Sequence, residues 1–343
     1  MSTVKTRILC ISDTHTTFPS PSTDTTIAYR NPLPRADILL HAGDLTKLSR
    51  REEHTAMFNF LSSIDAELKL VIAGNHDITL DEGFYRTHRD SDYRLRQYTN
   101  PRRHDNISSS TTTSDDDDWK SSPEGSSIKA LWTSPEARAA GIIYLDESER
   151  PRTFTLTRNG AEFTVWASPY TPQYGDWAFQ YPRGAAEERY KDPGRFGINP
   201  DTGVDIMLTH GPPYGFLDEV ANPWTVSSSF GQSAGCPGLR RFAAKVRPRL
   251  HVFGHIHEGF GAVRHDWGKG EERKEEEEGE RIVPDMDAAR RERCCKLDVS
   301  SDEERPLRHR EETLFVNASV LSVRYRPENA PWLIDLDLPK ASS

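Results

Sequence analysis

The stretch Leu68-Lys69-Leu70-Val71-Ile72-Ala73-Gly74-Asn75-His76-Asp77 runs from a short apolar segment straight into an amide, an imidazole and a carboxylate. A strand covered on both faces reads as a continuous apolar run, and a chain that only needed a turn after it would not require three such groups in succession. Upstream, Met57, Phe60, Leu61 and Ile64 recur at helical spacing and predict an amphipathic helix over 51–66. Before it, 36–40 reads as a strand ending in His41-Ala42-Gly43-Asp44, and 8–11 as a strand ending in Ser12-Asp13-Thr14-His15. The Thr-, Ser- and Pro-rich segment 16–35 between them reads as an extended loop. Strand, helix and strand joined by a right-handed crossover make the βαβ unit of an α/β protein.

Downstream, Ser134-Pro135-Glu136 is an N-cap with Pro at the first helical position, opening a short helix that stops at Gly141. Strands are expected at 142–145, 153–156, 162–167 and 204–208, the last ending in Thr209-His210-Gly211-Pro212-Pro213. Leu239, Phe242, Ala243 and Val246 mark a helix, followed by a strand at 250–253 and Gly254-His255-Ile256-His257. Strands at 314–316 and 332–338 close the sheets. Two segments break this rhythm. Residues 86–127, Ser/Thr-rich around Asp115 to Asp118, and 264–312, with Glu275 to Glu278 at its core, read as loop or disordered insertions in a single domain over 5–338.

A chain of 343 residues can bury a substantial core. Its formal charge of -9 lacks the basic footprint of an enzyme working on long nucleic acid. The cysteines Cys10, Cys236, Cys294 and Cys295 show no paired spacing, so neither a disulfide framework nor a CxxC zinc site is expected. No run approaches the ~18 apolar residues of a membrane span, and no apolar leader opens the chain. The expectation is a cytoplasmic protein with no membrane partner.

Five apolar strands thus end in residues that ligate metals or move protons: Asp13/His15, Asp44, Asn75/His76, His210 and His255/His257. In α/β sheets ligands bind outside the carboxyl ends of the strands, so one rim collects two carboxylates, an amide oxygen and several imidazoles. Many imidazoles with few carboxylates suit Mn, Fe or Zn rather than an all-oxygen calcium site. The donors exceed what one tetrahedral zinc needs, which makes two divalent ions the economical reading. Two ions about 3.5–4 Å apart would lower the pKa of a bridging water and clamp both ends of a displacement at phosphorus. His76 is the candidate general acid, with Asp77 expected to orient its imidazole.

These motifs, in this order, resemble the calcineurin-like metallophosphoesterase superfamily from about residue 5 to 320. His210-Gly211-Pro212-Pro213, the stretch GHIHEGFG at 254–261, Val316-Asn317-Ala318-Ser319, and Ser168-Pro169-Tyr170 followed by Asp176-Trp177-Ala178-Phe179 are more narrowly similar to its metallophosphoesterase-domain-containing group. The resemblance implies a four-layer α/β/β/α sandwich of two mixed sheets flanked by helices. It implies one metal held by Asp13, His15, Asp44 and His257, and a second held by Asp44, Asn75, His210 and His255, with Asp44 bridging. Some animal members lack the histidine matching His255 and are feeble enzymes; this chain keeps it.

Any of these histidines alone would read as a hydrogen-bonded structural residue, as His41 does here; it is their placement on five strand ends that favours ligation. Tyr170, Trp177 and Tyr214, with Phe179 and Phe216, lie in loops beside the motifs. They are candidates for stacking on a nucleobase, against ordinary packing under loops. The expected activity is hydrolysis of a small phosphate ester, by preference a diester of cyclic or other small nucleotides. The alternatives are a Ser/Thr phosphoprotein or other phosphomonoester phosphatase, and a metal-containing nucleotide-binding protein of low turnover.

Overall fold

The strand runs are buried on both faces because each sheet is covered twice, once by the other sheet and once by helices. In the computed structural model residues 2–88, 124–147, 150–199, 203–220, 232–268 and 279–341 are described. In chain order the strands are β1 (Thr3–Ile11), β2 (Ile38–His41), β3 (Leu68–Val71), β4 (Ile142–Tyr144), β5 (Arg152–Thr155), β6 (Glu162–Ser168), β7 (Thr171–Pro172), β8 (Gln180–Tyr181) and β9 (Ile206–Thr209). They continue as β10 (Glu219–Val220), β11 (Gln232–Ser233), β12 (Leu250–Phe253), β13 (Gly261–Asp266), β14 (Glu280–Ile282), β15 (Cys295–Asp298), β16 (Glu312–Asn317) and β17 (Trp332–Pro339).

One sheet has the order β15-β17-β1-β2-β3-β4, the other β14-β13-β16-β12-β9-β6-β5. Both are mixed: β1 runs antiparallel to β17 but parallel to β2, and β12 runs antiparallel to neither β9 nor β16 while β13 opposes β16. Alternate residues of one run serve two cores. Ile8, Cys10, Leu40, Leu70 and Ile72 face Leu208, Val252, Leu314 and Val316 between the sheets. Leu9, Ile11, Leu39 and Val71 instead meet Met57 and Leu61 of the helix Arg51–Ser63, with Trp132 behind them. Met207, Phe253 and Phe315 meet Leu239, Phe242 and Ala243 of the helix Pro237–Val246. The result is the four-layer α/β/β/α sandwich.

The cap expected at Ser134 forms, and a second cap opens the helix at Arg51. Ser134 Oγ accepts the Ala137 N–H at 3.0 Å with Pro135 at the first helical position, and Glu53 Oε2 accepts the Arg50 N–H at 2.9 Å. The parallel strands β1, β2 and β3 end on the same edge as β9 and β12, and an isolated parallel bridge between Ser12 and Ser319 stitches the two sheets together there. That seam places the five motif-bearing strand ends on one rim.

The expectation of a solvated loop over 264–312 is corrected. Within it lie β14, the helix Met286–Glu292, and β15, which adds a parallel edge to the first sheet. The composition is charged because these elements sit at sheet edges with one face in water, while Ala289, Cys294 and Cys295 are buried on the other. Residues 269–278, with the Glu275–Glu278 run, lie outside the described residues, as do 89–123 of the other expected insertion; the helices Glu82–His88 and Glu124–Trp132 occupy its described flanks. The same correction covers Arg264 and Glu312 at its two ends. Their side chains form a buried pair, Nη2 to Oε2 at 2.6 Å and Nε to Oε1 at 3.0 Å. Arg264 also donates to the carbonyls of Arg305 and Pro306. Arg264→Ala would leave Glu312 charged and buried with part of its pairing removed. A loss of about 3–5 kcal/mol in unfolding free energy is expected, checked by urea denaturation.

Candidate metal centre

Three of the five motif-bearing strands, β1, β2 and β12, leave their sheets through strained turns that throw polar side chains onto the rim. Asp13, His15, Asp44 and His255 all have left-handed backbones, with φ of 53°, 42°, 52° and 68°. For non-glycine residues this costs of order 1–3 kcal/mol each and persists only where the surroundings enforce it. Here the loops lock one another: Asp13 N–H donates to the Gly43 carbonyl and His15 N–H to the Asp44 carbonyl, both at 3.0 Å. Glycine is required where loops touch ligands. A Cβ at Gly74 would stand 2.3 Å from Asp44 Oδ1, and one at Gly254 would stand 2.0 Å from Asp13 Oδ2.

The structure brings all the expected ligand residues together. Asp13, His15 and His257 present ligand atoms within 4.8 Å of one another, as do Asp44, His210 and His255. His15 Nε2 lies 3.5 Å from Asp44 Oδ2, His210 Nε2 lies 3.4 Å from Asp44 Oδ1, and His257 Nε2 lies 3.4 Å from Asp13 Oδ1. Asn75 Oδ1 is 2.9 Å from His210 Nε2. Three of the imidazoles are aimed by the same device. Nδ1–H of His15, His210 and His257 donates to the carbonyls of Thr46, Ala42 and Ser322 at 3.2, 2.9 and 3.0 Å. This leaves Nε2 turned to the carboxylates.

The donor set fits a divalent cation. His15 Nε2 is buried without a hydrogen-bond partner, and with its only proton on Nδ1 it turns a lone pair toward a carboxylate, which is repulsive unless a positive charge lies between. Burial pushes His15 down to about 4 and His255 to about 3, so both imidazoles are neutral. For His210 and His257 burial also opposes the charge, but Asp44 beside the one and Asp13 beside the other prevail and push each up to about 9. Asp13, despite burial, is held below the usual carboxylate range by His257, and Asp44 by His210. A cation entering here therefore displaces protons from His210 and His257 while finding both carboxylates ionised.

His76 stands beside the ligands, one of its nitrogens within 4.8 Å of ligand atoms of His15 and Asp44. Its backbone N–H donates to Asp44 Oδ1 at 2.8 Å and its Nδ1–H to the Lys47 carbonyl at 2.9 Å. The expectation that Asp77 orients this imidazole is corrected. Asp77 is buried and accepts from Leu45 N, Thr46 N, Thr46 Oγ1 and Gly74 N at 2.6–3.0 Å. It ties the Asp44 turn to the Asn75 turn, and the Lys47 carbonyl takes the role assigned to it. Burial and the neighbouring Asp44 charge push its carboxyl up to about 7.

Three residues at the site escaped the sequence reading. Ser319 Oγ donates to Asp13 Oδ2 at 2.7 Å, beside two contacts from the His255 N–H to the same carboxylate at 3.0 Å. Its motif was visible, yet only contact across 306 residues shows the role. Tyr325 sets its ring 5.0 Å from His15 and 5.4 Å from His257, with Lys47 Nζ 5.8 Å from its centroid. No sequence signal marked Tyr325 or Lys47. Of the candidate aromatics, Trp177 packs at a tilt against His76, so that face is already taken. Tyr170 packs under the Arg189 guanidinium and against Phe179. Tyr214 is 45% exposed, its backbone tied to Cys236 and Arg240. His41 is buried, its Nε2 3.0 Å from Thr14 Oγ1 and its Nδ1 accepting from Gly43 N–H, a structural role.

Comparison with known proteins gives a match to the family described as calcineurin-like phosphoesterase over residues 6–259. Metallophosphoesterase domain-containing protein 1 of Homo sapiens is 32% identical over 339 residues, 98% of this chain and 73% of that protein, and its Mus musculus counterpart matches equally. Among solved structures, a purple acid phosphatase from yellow lupin seeds covers 92% of this chain and 44% of its own, with a TM-score of 0.34 and 12% identity. Among the described residues no helix is long and apolar enough to cross a membrane.

Proposed function

Since the chain belongs to the calcineurin-like phosphoesterase family and is a metal-dependent phosphoesterase, we propose that it is a two-metal phosphodiesterase acting on small diesters of nucleotide type. The observation that carries the two-metal reading is Asp44, whose two oxygens face different imidazoles, Oδ2 toward His15 and Oδ1 toward His210. Asp13, His15, Asp44 and His257 would hold one ion; Asp44, Asn75, His210 and His255 the other. When bound, such a pair supplies a water of lowered pKa and positive charge against the phosphoryl oxygens.

The protein's own groups do the rest. Ser319 and the His255 N–H fix Asp13, and Asp77 fixes the Asp44 turn, so the ligands need little reorganisation. His76, with Nδ1 committed to the Lys47 carbonyl, keeps Nε2 for the departing oxygen and delivers a proton there. Tyr325 offers a half-exposed ring beside the ligand histidines, and the Lys47 ammonium near it suits one negative charge on the substrate. An ammonium suits a monoanionic diester; a dianionic monoester is gripped best by a bidentate guanidinium.

The test is hydrolysis of bis-p-nitrophenyl phosphate against p-nitrophenyl phosphate by chelated protein resupplied with Mn²⁺. Activity that returns with metal and favours the diester is expected. Preference for the monoester would replace this reading with the phosphatase, and metal uptake without turnover of either would replace it with the binding protein.

A further inference from the structure

Trp177 lies against the imidazole of His76 at a tilt, ring centroids 4.1 Å apart and planes 31° from parallel. The same imidazole meets His15 edge-on at 4.6 Å and gives its Nδ1–H to the Lys47 carbonyl. Indole face, imidazole edge and carbonyl together set the plane and rotation of the ring, the task a carboxylate performs in many acid–base sites.

The segment that carries Trp177 is built to hold it there. It spans the gap between the paired strands β7 and β8, closed by Thr171 N–H to the Phe179 carbonyl at 2.9 Å and Gln173 N–H to the Tyr181 carbonyl at 2.8 Å. Phe179 N–H donates to Asp81 Oδ2 at 2.9 Å. Asp81 caps the short turn Ile78–Leu80 that begins at Asp77, so the flap is tied to the same loop that presents His76. From the other side His88 Nε2 lies 3.7 Å from Asp176 Oδ1. Inside the flap, Gly175 adopts φ +68°, and a Cβ there would meet the indole at 3.6 Å.

We propose that Trp177 is a positioning residue for proton transfer by His76, acting through the flap anchored on Asp81. The inference rests on His76 being the proton donor. In the step served, the P–O bond to the departing alcohol breaks as a P–O bond to a water oxygen forms. The proton on His76 Nε2 passes to the alcohol oxygen, and the proton released by the water returns to the imidazole through solvent. A misplaced donor costs little when the leaving group departs readily as an anion and much when it does not.

The experiment compares bis-p-nitrophenyl phosphate with diphenyl phosphate, whose phenol leaves less readily, on Mn²⁺-loaded protein with metal content measured for each variant. Trp177→Ala is expected to lose about 10-fold more kcat on diphenyl phosphate than on the nitrophenyl ester, with metal content unchanged. Trp177→Phe should recover most of that difference. Trp177→Leu, which keeps bulk but no aromatic face, should behave as the Ala variant and serves if that variant is unstable. Tyr174→Ala, on the exposed side of the same flap, should leave both rates unchanged. Equal slowing of both esters by Trp177→Ala or Trp177→Leu, while His76→Ala keeps its extra loss on diphenyl phosphate, would overturn the positioning role and leave the function standing. Absence of that extra loss in His76→Ala would remove the proton donor and this inference with it.

Discussion

Asp44→Asn is expected to abolish metal-dependent hydrolysis, with a loss above about 10³-fold in kcat/KM and a fall in bound metal from the proposed two ions per chain to one or none. The side chain keeps its shape, so the turn it occupies should survive. It loses the charge that faces His15 through one oxygen and His210 through the other, at 3.5 and 3.4 Å. A factor of 10³ corresponds to about 4 kcal/mol, the scale of removing one of two carboxylates from a buried cationic site. The measurements are metal content by mass spectrometry, and rate with excess Mn²⁺. An Asn variant retaining two ions and most of its rate would sink the bridging assignment.

His76→Ala should separate cleanly from this. Its imidazole neighbours the ligands, yet its Nδ1 is bound to a backbone carbonyl and one face lies against Trp177. Metal content should therefore hold while kcat on an ester with a poor leaving group falls by about 10²–10⁴, the usual worth of a placed proton donor. Equal metal loss in both variants would show that His76 is a ligand. The contact of its backbone N–H with Asp44 Oδ1 survives in the Ala variant, so any loss reports the side chain alone.

Much of this centre is legible in the sequence because its parts are local. A strand covered on both sides is apolar along most of its length, as Leu70, Val71 and Ile72 are, and the motif residues follow where such runs end. The α/β class, the helices at 51–63 and 237–246, and the residues on the rim follow from that periodicity. What the tertiary structure alone decided involves partners far apart in the chain. Ser319 reaches Asp13 because β16 lies on the opposite sheet from β1 and the two ends meet at the seam. Asp77 turns from His76 to the Asp44 loop because four donors converge on it there. Tyr325 and Trp177 arrive on turns with no periodic signature, and the charged segment before β16 hides a sheet edge because edge elements need only one apolar face. Hydrophobic spacing records what a residue does within its own element; which groups meet across the rim is settled by packing.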